Sequence, residues 1–169
     1  NEAGSLITSK TRLVLLPYKS RKRQAHNFNG DISATPSKAI TMGVSTMLSA
    51  KKVILMAWGE DKASMVQQIV EQRYTPDYPA SFFQKHPDVT LYTDENSSAM
   101  LTRIVAPWLI GPCEWTNKFR RKAVIWLCEQ VHKPILKLSY QDYLQNGLGE
   151  LLEKFGSYDK INIEVFNEL

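Results

Sequence analysis

Cysteine is nearly absent from this chain of 169 residues, with Cys113 and Cys128 the two it has. Two thiols make neither a disulfide framework nor a metal-ligand set, and a reducing cytoplasmic setting is the expected one. Histidine is just as sparse: His26, His86 and His132 are scattered and form no Cys/His cluster of metal-site type, so no metal and no cofactor is expected. No apolar run approaches the ~20 residues of a membrane-spanning helix, and no membrane partner is expected. The first ten residues are mixed and polar and end in Lys10, unlike a secretory signal. G-x-S-x-G, the Walker A pattern and G-x-G-x-x-G are all missing, which removes three common routes to hydrolase, nucleotide and dinucleotide chemistry. Acidic residues are missing from Lys10 to Arg23, where six basic residues fall. With Tyr18 the one aromatic there and no groove-reading helix pattern, that run reads as a solvated loop or a phosphate contact rather than a nucleic-acid surface. An initiator methionine is also missing, and the opening Asn1-Glu2-Ala3-Gly4-Ser5 is expected to be the interior of a longer protein.

What is present is a globular composition: 43% hydrophobic, 22% charged, a net charge of +4 and a pI near 9.0. A chain of this size buries enough surface to need no staple, and its modest positive excess favours acidic or phosphorylated ligands. Residues 10–16 read as a strand and 17–37 as an irregular basic segment broken by Pro17, Gly30 and Pro36. A unit then occurs twice. Strand-like 38–42 leads through Gly43 into a short helix over 44–50, and the apolar run 52–58 leads through Gly59 into a helix over 60–73. In that helix Ala63, Val66, Ile69 and Val70 share a face. Strand, glycine and amphipathic helix in repetition predict an α/β fold with a parallel sheet under helices. A strand over 88–93 and a helix over 96–105 continue it. Beyond Pro107 the composition changes. A Trp- and Pro-rich packed loop precedes a helix capped by Thr116 and running to Val131. Residues 134–138 read as a short strand, Ser139 and Asp142 as a capping-box-like helix start, and the alternating 161–166 as a final strand. A boundary near 106 separates domain 1–105 from a mostly helical extension, 106–169.

Among residues able to carry chemistry, Lys62 stands out. It lies in the first helical turn after a buried strand and Gly59, where a cation opposes the helix dipole. Two readings are open from the residues alone. An anion binds there, held by helix N–H groups and the ammonium together, or the lysine is solvated and offset by Glu60 and Asp61. Gly43 reads as a turn glycine, His86 as a structural hydrogen-bonding histidine, Asp94-Glu95 as a cap for the next helix, and the cysteines as small buried apolar residues.

The order of several segments has a family likeness. NEAGS at 1–5, SKTR at 9–12, TPSKAITMGVSTMLSAKKVILMAWGEDKA at 35–63 and PASFFQKHPDVTLYTDENSSAM at 79–100 resemble the C-terminal half of glucosamine-6-phosphate deaminase, also called glucosamine-6-phosphate isomerase. The resemblance implies a three-layer Rossmann-like parallel sheet with helices on both faces, present in part. It also implies conversion of glucosamine 6-phosphate and water to fructose 6-phosphate and ammonia, with a small sugar phosphate as ligand. In the family an Asp-Gly-His sequence precedes Asn-Glu-Pro. Asn1-Glu2 match its end, with Ala3 in place of proline, so Glu2 would orient the histidine that opens the sugar ring. The Asp, the His, the proton-moving carboxylate and the phosphate loop all lie in family sequence upstream of Asn1, and the isolated chain is expected to be inactive. Lys62 matches the family's phosphate lysine, which favours the anion reading. His26 falls where the family has a second phosphate-contacting arginine. Ser5 and Arg12 match positions of an allosteric N-acetylglucosamine-6-phosphate site, although Val14 replaces its lysine, so that regulation is not expected. Residues 106–169 resemble the connector of longer variants in which a deacetylase-like domain follows. A homo-oligomer is expected, because the half-sheet would leave an edge or face exposed. The alternative to an enzyme is a sugar-phosphate-sensing module on the same fold, for which Ala3 and His26 are the motive.

Overall fold

A computed structural model describes residues 3–169. The chain divides into two units, the first ending at Ser98 and the second spanning Ala99–Leu169. The composition change near 106 therefore falls inside the second unit, because Ala106 and Trp108 are part of that unit's core.

The first unit holds two strand pairs. β1 (Arg12–Leu15) runs antiparallel to β2 (Lys38–Thr41), with Leu13 opposite Ile40. β3 (Val53–Ala57) runs parallel to β4 (Val89–Thr93), with Leu55 opposite Leu91. The expected parallel arrangement is thus realised at β3–β4, whereas β2 turns back along β1. The basic segment read as irregular contains α1 (Tyr18–Gln24) and a 3-10 turn, Ala25–Phe28. Arg21, Lys22 and Arg23 fall in the last turn of α1, where cations complement the carbonyl end of the dipole. Arg21 also fixes the following loop, donating from Nη2 to the Ile32 carbonyl at 2.6 Å and to the Thr35 carbonyl at 3.0 Å.

Gly43 starts α2 (Val44–Leu48), and its reading changes. Its backbone is extended, at φ −72°, so conformational freedom is not the requirement. Space is: a Cβ there would lie 2.1 Å from the Ser9 carbonyl oxygen, which accepts from Ser45 N at 3.0 Å and Ser45 Oγ at 2.9 Å. α3 (Ala63–Glu71) buries Ala63, Val66 and Ile69 at three-residue spacing, while Val70 is about half exposed. His86 is buried between two backbone partners, with Nε2 2.8 Å from the Ala50 carbonyl and Nδ1 3.1 Å from the Asp88 amide. Those partners require the tautomer protonated on Nε2. The helix expected over 96–105 is two short pieces, α4 (Glu95–Ser98) and α5 (Thr102–Val105), split at the division between the units.

The second unit is helical. α6 (Asn117–Val131) is capped by Thr116, whose Oγ1 accepts from Phe119 N at 3.2 Å. α7 (Tyr140–Gln145) begins at a full capping box of Ser139 and Asp142, and α8 (Gly149–Phe155) and α9 (Tyr158–Asn167) follow. Two expected strands are overturned. Residues 135–137 form a 3-10 turn, and the alternating INIEVF lies within α9. α9 buries Ile161, Asn162 and Val165 and leaves Ile163 and Phe166 exposed, a helical rather than a two-residue repeat. With no strand beside it to pair with among the described residues of this unit, β propensity yields to burial. Asn162 is held inside the core, accepting from Tyr143 OH at 2.7 Å and donating to the Leu138 carbonyl at 2.9 Å. Burial pushes the Tyr143 phenol well up, so it remains a donor. Trp108 packs edge-on against Phe119 and Trp126.

Candidate functional site

The carboxyl ends of β3 and β4 meet at a short loop cluster. β3 is an apolar run that ends at Ala57, and the chain leaves it through Gly59 at φ +88°, a backbone region in which a Cβ is strained. That bend delivers a 3-10 turn, Glu60–Lys62, into the start of α3, with Lys62 N donating to the Gly59 carbonyl at 3.1 Å. Across from it, Asp94 follows β4. One Asp94 oxygen accepts from Ser97 N at 2.8 Å, so Asp94 caps α4. Both of its oxygens also receive the Gly59 N–H at 3.2 Å, a link spanning 35 residues. Ser97 Oγ completes the lock on the Ala57 carbonyl at 2.8 Å. The hydrogen bonds from Ser97, and then that from Gly59, hold the Asp94 carboxyl below its ordinary range. The turn carrying Lys62 is therefore tied to both strand ends.

Lys62 is 29% exposed and its ammonium contacts the Asp61 carboxylate, itself 71% exposed. Hydrogen bonding and charge from Lys62, with a further contribution from Arg23, hold the Asp61 carboxyl low. In open α/β sheets ligands bind beyond the carboxyl ends of parallel strands. A half-buried ammonium at that edge, beside the N-terminus of a nine-residue helix, is chemically suited to an anion.

The remaining sequence-predicted residues lie as follows. Arg12 Nη2 donates to the buried Ser5 Oγ at 2.8 Å, so those two are together. His26 is exposed, and its Nδ1 is 2.7 Å from the Arg23 carbonyl one turn back. It makes no hydrogen bond to Lys62 among the described residues. Glu2 lies outside the described residues. Cys113 and Cys128 are free thiols whose pKa burial raises, and no group of three or more His, Cys, Asp or Glu is placed to hold a metal among the described residues. Asp94's reach to Gly59 could not be read from the sequence. Asp94-Glu95 was visible there as a cap for the next helix, but the partner of Asp94 across the strands was not.

Residues 15–92 match the family model of glucosamine-6-phosphate isomerases/6-phosphogluconolactonases. The matched residues lie within the first unit. Over all 169 residues the chain is 50% identical to a glucosamine-6-phosphate deaminase-like protein of Bacteroides thetaiotaomicron, of which it covers 25%. Over 103 residues, 61% of this chain and 43% of the relative, it is 40% identical to a glucosamine-6-phosphate deaminase of Latilactobacillus sakei. Among solved structures it resembles a monomeric glucosamine-6-phosphate deaminase, with a TM-score of 0.56 and 35% identity over 59% of this chain and 41% of that one. The chain thus spans a quarter to less than half of the length of these relatives. What it shares with the glucosamine-6-phosphate isomerase family is a partial α/β domain that includes the Lys62 turn.

Proposed function

We propose that this chain supplies the phosphate-holding part of a glucosamine-6-phosphate deaminase, a protein that converts glucosamine 6-phosphate and water to fructose 6-phosphate and ammonia. The observation that carries the reading is the placement of Lys62. It stands on a positive-φ glycine turn at the carboxyl ends of a parallel pair, in a unit that matches the isomerase family. Held there, the ammonium offsets the phosphate dianion and fixes one end of the sugar, so that the distant C1–C2 end meets acid and base groups in a constant position. Glu2 is assigned the orienting carboxylate for a ring-opening histidine. The 169 residues contain no Asp-Gly-His sequence to supply that histidine, so as an isolated polypeptide the chain is assigned binding without turnover.

Titration calorimetry with glucosamine 6-phosphate tests the binding half. Lys62→Gln is expected to weaken affinity about tenfold or more, the scale of one lost charge-assisted contact. An unchanged affinity removes the assignment. Ammonia release by the purified 169-residue chain would contradict the other half.

A sugar-phosphate-sensing role without catalysis is the second reading, favoured by His26 and Ala3 at positions where the family has arginine and proline. A longer form of the protein that binds glucosamine 6-phosphate but releases no ammonia would select it. Ser5 and Arg12 are proposed as the remnant of an effector site. Arg12 is already engaged by Ser5, and Val14 lacks the charge to complete an anion pocket. We further assign the connector role to residues 106–169, ahead of a deacetylase-like domain, and a homo-oligomeric or otherwise covered state to the first unit. Leu13, Leu15 and Ile40 on one strand pair, and Ile54, Met56 and Tyr92 on the other, are exposed, more apolar surface than an isolated unit ordinarily leaves in water. A concentration-independent monomer in analytical ultracentrifugation would remove the oligomer.

A further inference from the structure

The first unit holds a cleft of about 490 Å3 that neither Lys62 nor Asp61 lines. That size falls within the range of small-molecule sites, about 300–1,000 Å3. Residues of α1, α2, α3 and a 3-10 segment, Pro79–Lys85, with the turn before it, surround the space. Its buried lining is apolar. Ile69 and Phe83 are buried and Met47 is half-buried, and Met65 adds a fourth apolar side chain. The two methionines are unbranched and polarisable, so they can fit bodies of differing shape.

Its exposed lining is charged, and the two signs come from different elements. Lys19 and Arg23 stand four residues apart on α1 and so share a face of that helix. Asp77 comes from the turn ahead of the 3-10 segment. The other arginines of the basic run are spent internally, Arg12 on Ser5 and Arg21 on the carbonyls of Ile32 and Thr35. Lys19 and Arg23 donate no side-chain hydrogen bond and form no ion pair among the described residues. Asp77 accepts a single long hydrogen bond among them, from Thr75 Oγ1 at 3.4 Å. Two cations and a carboxylate thus line one cleft without pairing with each other, and both signs are left to a ligand.

We infer that this cleft binds a small zwitterion of the amino-acid type with a bulky apolar side chain. The ligand's carboxylate meets Lys19 and Arg23, its ammonium meets Asp77, and its side chain lies on Met47, Met65, Ile69 and Phe83. A sugar phosphate suits the cleft poorly on two counts. The apolar lining offers sugar hydroxyls no partner, and a hydroxyl buried without one is costly. Asp77 also repels a dianion. A neutral apolar molecule leaves all three charges unused, whereas a zwitterion answers both signs and adds no net charge. The site is separate from that of Lys62, and the inference stands whether or not the reading of Lys62 does.

Spectra of isotope-labelled methionine methyl groups in the purified chain locate the ligand, because Met47 and Met65 line the cleft whereas Met56 and Met100 do not. Free phenylalanine is the probe. It is expected to shift the Met47 and Met65 signals with a dissociation constant in about the millimolar range. Glycine, a zwitterion with no apolar body, is expected to bind at least about tenfold more weakly. N-acetylphenylalanine lacks the ammonium and phenylalaninamide the carboxylate, and each is expected to lose about fivefold, the scale of an exposed ion pair. Arg23→Gln should weaken phenylalanine by a similar factor and leave phenylalaninamide unchanged. Asp77→Asn should weaken phenylalanine and leave N-acetylphenylalanine unchanged. Both residues are exposed, and circular dichroism checks that each variant folds. If phenylalanine leaves Met47 and Met65 unmoved, or moves Met56 and Met100 as much, the site is overturned. If phenylalanine and its two blocked forms bind the unaltered protein alike, the zwitterion is overturned. If glucosamine 6-phosphate displaces phenylalanine, the cleft is part of the Lys62 site and its separateness is overturned.

Discussion

Asp142 offers the sharpest test of how local chemistry sets stability here. Its carboxylate accepts from Ser139 N at 2.8 Å, from Ser139 Oγ at 2.7 Å and from the Lys133 ammonium at 2.7 and 2.8 Å. The side chain is 11% exposed. The bond from Lys133, then those from Ser139, lower its pKa from an ordinary 3.8 to about 2. Because the folded value is depressed, the contribution to stability is complete above the unfolded value near pH 4 and is lost as pH falls from there through about 2. A shift of that size corresponds to about 2 kcal/mol. Since Lys133 is 44% exposed and partly screened, about 1–2 kcal/mol is the expected measured value. Urea unfolding followed by tryptophan fluorescence, between pH 2 and 6, gives the stability of the unaltered protein and of Asp142→Asn. Their difference is expected to be level above about pH 4.5 and to shrink steadily below it, with other titrating groups cancelling between the two proteins. A difference independent of pH over that range would refute the assignment, since Asn carries no titrating group to lose.

Three further outcomes are expected. Gly43→Ala places a Cβ 2.1 Å from the Ser9 carbonyl and should destabilise the first unit by about 3 kcal/mol or prevent its folding, read by hydrogen exchange of β3 and β4 amides. Gly59→Ala forces a side chain into φ +88° at a cost of about 1–3 kcal/mol. It should weaken glucosamine 6-phosphate binding in calorimetry more than it lowers the melting temperature, because the strained turn carries Lys62. In α9, Val165→Ala should cost about 2 kcal/mol in urea unfolding, as a buried truncation, whereas Phe166→Ser should change stability by less than about 0.5 kcal/mol. Equal costs at the two positions would contradict the helical face.

Legibility followed the range of the interactions. The caps at Thr116 and Ser139/Asp142 are bonds between residues three apart, and both could be read from residue type and spacing. β3 was visible as an apolar run closed by Gly59, and the buried face of α3 as a three-residue repeat that erred only at Val70. INIEVF misled because its alternation fits a half-buried strand as well as a helix with Ile161 and Val165 inward, and only a neighbouring strand or its absence separates the two. Arg120 was passed over inside a helix that reads as amphipathic. It is buried and paired with both Glu164 and Glu168, partners more than forty residues away.

The candidate site divides in the same way. Residue type, glycine placement and period were enough to determine a parallel α/β pair with a lysine at the strand-to-helix turn, because strand burial, turn geometry and helix phase are local properties of the chain. The reversal of β2 along β1 and the bond from Gly59 to Asp94 were decided by tertiary structure alone. Each depends on bringing together groups that are 23 to 35 residues apart, and that choice is made by which apolar faces pack best, not by any one segment's own preference.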